Sequence, residues 1–117
     1  MHALIIEPDA WIALMIEDIL LEMGFGSIAV VTTTEAAVEA LRARVPDLIT
    51  SGLPMDARSG IDAWEDACPD KAIPIVFVTC LPGEVRAVLP DALVVAKPFA
   101  EQALREAVSL ATALDRA

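Results

Sequence analysis

Residues 3–31 read ALIIEPDAWIALMIEDILLEMGFGSIAVV, and two rhythms meet in them. Ala3 to Ile6 and Ser27 to Val31 are apolar runs too short for helices and rich in branched side chains, which reads as buried strands. Between them, from about Asp9 to Met23, apolar residues recur at three- and four-residue spacing, the mark of an amphipathic helix. Ile12, Ile16, Ile19, Leu20 and Met23 share the face that packs. Gly24 and Gly26 are placed to close this helix. A strand, a helix and a second strand in succession predict a parallel pair joined by a crossover.

The alternation continues to the end of the chain. Asp47 to Ser51, Ile75 to Val78 and Leu93 to Ala96 read as three more strands, and Glu35 to Arg44, Gly60 to Ala67, Gly83 to Leu89 and Ala100 to Leu114 as helices. Pro46, Pro74 and Pro90 each precede a strand, and Ser59 is placed to cap the third helix. No repeat, low-complexity stretch or linker interrupts the pattern, so residues 1–117 are expected to form one domain. The fold class is α/β: a doubly wound, five-stranded parallel sheet built as (βα)₅. Ligands of such sheets bind at the carboxyl ends of the strands. Those ends carry Glu7, Pro8 and Asp9, then Gly52, then Thr79 and Cys80, then Lys97 and Pro98.

Composition limits the function. A hydrophobic fraction of 56% and a mean hydropathy of +0.61 suit a sheet covered on both faces. The richest apolar segment is broken by Glu17, Asp18 and Glu22 and falls short of the roughly 20 residues of a membrane span. The amino terminus shows no export signal, so a cytoplasmic location is expected. Cys68 and Cys80 lack CxxC spacing, His2 completes no zinc site with them, and both thiols read as small buried hydrophobes. With 18 acidic and 8 basic side chains, the net charge of -10 repels nucleic acid and anionic membrane surfaces alike.

An acidic residue after the first strand, a hydroxyl after the fourth and a Lys-Pro after the fifth resemble the receiver domain of two-component response regulators. The resemblance spans the chain through IIEPDAWIALMIEDIL, PDLITSGLPMDARSG, IPIVFVTC and VVAKPF. It implies the flavodoxin-like strand order 2-1-3-4-5 and a cis Lys97-Pro98 bond. In receivers a strand-end Asp accepts a phosphoryl group from a histidine kinase, two acidic residues hold Mg²⁺, and a Thr or Ser and a Lys contact the phosphoryl oxygens. The carboxylate is the nucleophile, and metal and lysine offset the charge in transit.

Carried over position by position, the resemblance sets Gly52 on the phosphoacceptor, with Met55 and Gly60 on the family's flanking Met and Gly. Glycine has no oxygen to offer phosphorus. Glu7 matches the first member of the acidic pair, but Pro8 stands where the second belongs, with Asp9 just beyond. Weak or absent Mg²⁺ binding and no resident cofactor are therefore expected. Thr79, Lys97 and Pro98 match. Val94 occupies the position where receivers often carry a switching aromatic, and the fourth helix region is about one turn short.

Plainer roles stand beside these. Lys97 is expected to pair with Glu7 or Asp9 across the strand ends, and Thr79 can simply satisfy local backbone groups. Asp56 is the nearest substitute acceptor but reads as a turn residue, and Asp47 lies at the wrong end of its strand. Cys80 has no neighbouring thiol or activating base. On the first helix, Trp11, Leu14 and Leu21 fall beside Asp18 on the outward side. In receivers that helix meets a kinase or phosphotransfer bundle, so the stripe reads as a docking surface; alternatively, Trp11 folds back over the helix terminus and the leucines are scattered surface residues.

The expectation is a stand-alone, non-enzymatic pseudo-receiver without an effector domain. It would act by binding a histidine kinase, a phosphotransfer protein or another response regulator, or by pairing with itself as a homodimer. Its rivals are a working receiver that uses Asp56 and a small-ligand sensor in the same crevice.

Overall fold

In the computed structural model, which describes residues 1–68 and 73–116 with side chains as far as residue 113, each expected run forms its element within one or two residues of its predicted bounds. The strands are β1 (His2–Ile6), β2 (Ser27–Val31), β3 (Leu48–Ser51), β4 (Ile75–Thr79) and β5 (Leu93–Ala96). The helices are α1 (Ala10–Glu22), α2 (Thr34–Ala43), α3 (Ser59–Ala67), α4 (Pro82–Val88) and α5 (Glu101–Arg116). All strand pairs are parallel, in the order β2-β1-β3-β4-β5 that the resemblance implies.

Strand periodicity divides the interior in two. Ala3, Ile5, Leu48, Val76, Val78 and Val95 point to the face covered by α1 and α5, where Ile16, Leu20, Leu104 and Val108 meet them. Leu4, Ile6, Ile49 and Leu53 point to the other, covered by Ala37 and Leu41 of α2 and Ile61 of α3. Residues that alternate between two covered faces must all be apolar, which is why Ala3 to Ile6 of β1 and Ile75 to Val78 of β4 read as unbroken hydrophobic runs. The edge strands β2 and β5 are only partly buried.

Both ends of α1 have identifiable causes. Asp9 is its N-cap, its Oδ1 accepting from the backbone N–H groups of Trp11 at 2.9 Å and Ile12 at 3.2 Å. At the other end Gly24 takes a φ of +101°, a conformation that favours glycine. The Gly24 N–H then donates to Leu21 O and the Phe25 N–H to Leu20 O, a Schellman closure that seats the buried Phe25 ring against the core.

Four local expectations are corrected. Ser59 does not cap α3: a 3₁₀ turn at Met55–Ala57 leads into the helix, Arg58 takes the cap position without a side-chain bond, and Ser59 is already helical. Gly26 has no left-handed backbone, because Gly24 alone makes the turn. Cys68 is half-buried and Cys80 exposed, since each lies just past the end of its element rather than within it. Trp11 does not fold back over the helix terminus; it is 75% exposed. Among the described residues no helix is long and apolar enough to cross a membrane.

His2 supplies a pH dependence. Its ring is buried, with Nδ1 2.8 Å from the Ser27 hydroxyl, and its backbone N–H donates to Asp47 Oδ2 at 2.7 Å. Burial, and then the Arg44 charge, hold its pKa below the ordinary 6.5. The unfolded chain therefore binds the proton first, and stability falls as pH drops below about 6.5, levelling off once the folded His2 is also protonated. Urea midpoints at pH 7.5 and 5.5, compared between the parent and His2→Gln, should show this component lost in the variant.

Candidate functional site at the strand ends

The sheet ladders run one residue past the strands and fix the site. The Glu7 N–H donates to Val31 O at 3.0 Å, the Gly52 N–H to Ile6 O at 2.7 Å and the Lys97 N–H to Thr79 O at 2.8 Å. Glu7, Gly52, Thr79 and Lys97 are thereby brought to one crevice by backbone pairing. The Lys97-Pro98 bond is cis.

Glu7 is only 1% exposed, and its carboxylate turns into the crevice. Oε2 accepts from the Asp9 N–H at 3.1 Å, and Oε1 lies 2.6 Å from Lys97 Nζ. No donor is well aligned on Oε1, so the lysine contact is ionic more than directional. Of the two candidate carboxylates, Lys97 takes Glu7; Asp9 is engaged as the helix cap and is exposed, as is Pro8. Gly52 lies directly beneath this pair. A methyl group at its Cα would stand 2.8 Å from Glu7 Cδ and closer still to Oε1.

Thr79 behaves as its plainer reading has it, with Oγ1 accepting from the Leu81 N–H at 3.0 Å where the chain enters α4. Cys80 is exposed on the pocket rim. Gly52, Leu53, Pro54, Met55, Thr79 and Lys97 are among the residues that line a pocket of about 200 Å³. That is below the ~300 Å³ at which small-ligand sites begin. Asp56 is exposed in the 3₁₀ turn. Val94 is half-buried and lines, with Phe99 and Leu110, a separate surface hollow between β5 and α5. Helix α4 spans 7 residues.

A hard cation such as Mg²⁺ needs carboxylate oxygens held open toward it. Here Glu7 is committed to Lys97 and Asp9 N–H, Asp9 to the helix, and Pro8 and Gly52 have no side-chain ligand atom. The residues do not fit the metal that receivers hold. Among the described residues no three acidic, histidine or cysteine side chains converge on a metal-sized site.

Sequence reasoning missed two features. Asp9 immediately before the helical pattern is an N-cap signal, and its capping role was legible there. Arg58 was not: it is 2% exposed with its guanidinium 4.7 Å from the Phe77 ring centre, and Asp62 and Glu65 lie 3.7 and 4.0 Å from it. Glu65's own partial burial raises its pKa, against the pull of Arg58.

On α1, Leu14, Met15 and Leu21 are exposed along with Trp11, and Asp18 lies among them. The helix is tied to α5 through Glu22 and Arg105, which also meets Glu101 at 2.9 Å. Ion pairing with these two carboxylates raises the Arg105 pKa, Glu101 contributing most.

Comparison with known proteins agrees with this layout. The chain is 34% identical over 100 residues to the phyllosphere-induced regulator PhyR of Methylorubrum extorquens, covering 82% of this chain and 38% of that protein. It is 29% identical over 112 residues to the chemotaxis protein CheY of Bacillus subtilis, covering 91% and 92%. Among solved structures, the receiver domain of Erythrobacter litoralis PhyR superposes with a TM-score of 0.73 at 30% identity, over 94% of this chain and 88% of that one. Bartonella quintana PhyR gives 0.76 at 28%, over 98% and 48%. The chain thus spans half or less of the longer PhyR proteins it matches. The sequence pattern of the response regulator receiver domain matches residues 3–109, and the chain belongs to that family.

Proposed function

We propose that this chain is a pseudo-receiver: it works in phosphorelay signalling by binding proteins and accepts no phosphoryl group itself. The observation that carries the reading is Gly52 at the acceptor position, with the Glu7 carboxylate lying over it and Lys97 already paired. Phosphoryl transfer to a receiver requires a carboxylate oxygen within reach of metal and lysine, and among the described residues position 52 offers none.

The binding surface we assign is the outward side of α1, where Trp11, Leu14 and Leu21 form an exposed apolar stripe beside Asp18. It suits a histidine kinase, a phosphotransfer protein or another response regulator. Bartonella quintana PhyR is an anti-anti-sigma factor, and by that likeness we place this chain in a circuit whose output is protein association. The net charge of -10 argues against direct DNA binding. We take it to act in the cytoplasm, without enzymatic activity of its own.

Incubation with acetyl phosphate and Mg²⁺, followed by intact-mass measurement, should leave the chain unmodified. An adduct mapped to an aspartate would defeat the reading. If that adduct disappeared in Asp56→Asn, the exposed turn residue would be the acceptor instead.

A further inference from the structure

Gly52 has no positive φ, so the backbone does not call for a glycine. What calls for it is space, since every atom nearest to a side chain at this position belongs to the Glu7 carboxylate. Glu7 in turn is 1% exposed, an environment in which an ionised carboxylate is costly unless paired. Its partner is the Lys97 ammonium at 2.6 Å, on a side chain itself only 12% exposed. The three positions are interdependent: a small residue at 52 admits Glu7, Glu7 reaches Lys97, and Lys97 neutralises Glu7.

We propose that Glu7 is the built-in counter-ion of this crevice: its carboxylate takes the volume of a side chain at position 52 and engages Lys97 from within, so the lysine is not free to hold an external anion. The arrangement accounts for the pairing without a metal. One carboxylate and one ammonium cancel, whereas an open crevice would leave a half-buried cation facing solvent as an anion site. It makes Glu7 a positioning residue that holds the β1, β3 and β5 ends in one state irrespective of phosphoryl donors. The inference concerns the pocket alone and stands apart from the assignment of partners.

Two measurements without any partner test it. Thermal unfolding of the cycle formed by Gly52→Ala and Glu7→Ala reads the steric claim. Gly52→Ala should lower the Tm by about 4 °C or more in the parent and by less than about 1 °C in the Glu7→Ala background. A Gly52→Ala chain that fails to fold, while Glu7→Ala/Gly52→Ala folds, supports the same conclusion; equal penalties in both backgrounds overturn it.

Amide chemical shifts during titration with inorganic phosphate read the second claim. Saturable shifts at Gly52, Thr79 and Lys97 are expected in Glu7→Gln and absent in the parent. Saturation in both chains, or in neither, refutes Glu7 as the group that keeps anions out. A purely packing role for Glu7 would not produce phosphate binding in the variant.

Discussion

Replacing Lys97 with methionine is expected to lower the unfolding free energy by about 3–5 kcal/mol, the usual result of removing one partner from a buried ion pair. The Glu7 carboxylate is 2% exposed and would keep only the Asp9 N–H as a partner. Were this pair on the surface, the loss would be at most about 1 kcal/mol, so the measured value reports its environment directly. Against a total of about 5–15 kcal/mol for a domain, the change is large enough to read from urea midpoints. The double variant Glu7→Gln/Lys97→Met should regain most of the loss, because neither charge is then stranded and the amide oxygen can still accept from Asp9 N–H. A Lys97→Met midpoint within error of the parent's would mean that water reaches Glu7 in solution.

The second large effect is expected at Phe25. Its ring is 2% exposed within the core shared by α1, α5 and the sheet. Phe25→Ala should cost about 3–5 kcal/mol, the transfer free energy of the ring plus that of the cavity left behind. The backbone closure that positions the ring does not depend on it: the Gly24 and Phe25 N–H bonds to Leu21 and Leu20 are main-chain contacts. The loss should therefore appear as a lower midpoint with an unchanged denaturant slope, and circular dichroism should report undiminished helix. A penalty below about 1 kcal/mol would show that neighbouring side chains collapse into the space.

The fold was legible in the sequence because β1, β3 and β4 are enclosed on both faces. Ala3 to Ile6 could not otherwise be apolar without interruption, and helices of three- and four-residue periodicity between such runs leave few alternatives. The outward side of α1 was legible for the same reason, since residues off the buried stripe must point to solvent; Trp11, Leu14 and Leu21 do so, with Met15 beside them. The membership of the crevice followed from strand order, because parallel strands deliver their carboxyl ends to one edge.

What linear pattern could not supply was lateral contact. That Lys97 would choose Glu7 over Asp9 depends on which carboxylate a helix terminus has already engaged. That a side chain at 52 would collide with Glu7 depends on the pairing of Gly52 N–H with Ile6 O across neighbouring strands. Arg58 sits in a segment that reads as polar loop, and its burial follows only from the placement of Phe77 on the adjoining strand. The thiols were misjudged because residue type suggests burial, whereas position just beyond an element decides it.

The double engagement of Asp9, through its N–H with Glu7 and through its carboxylate with the first turn of α1, bears on ancestry. Drawing that carboxylate off toward a metal would uncap a helix, and drawing Glu7 off would strand Lys97. A side chain added at 52 alone would meet Glu7, and a change at 7 alone would strand Lys97, so either single step would fold less well than the parent. Such coupling works as a ratchet, resisting stepwise change at these positions.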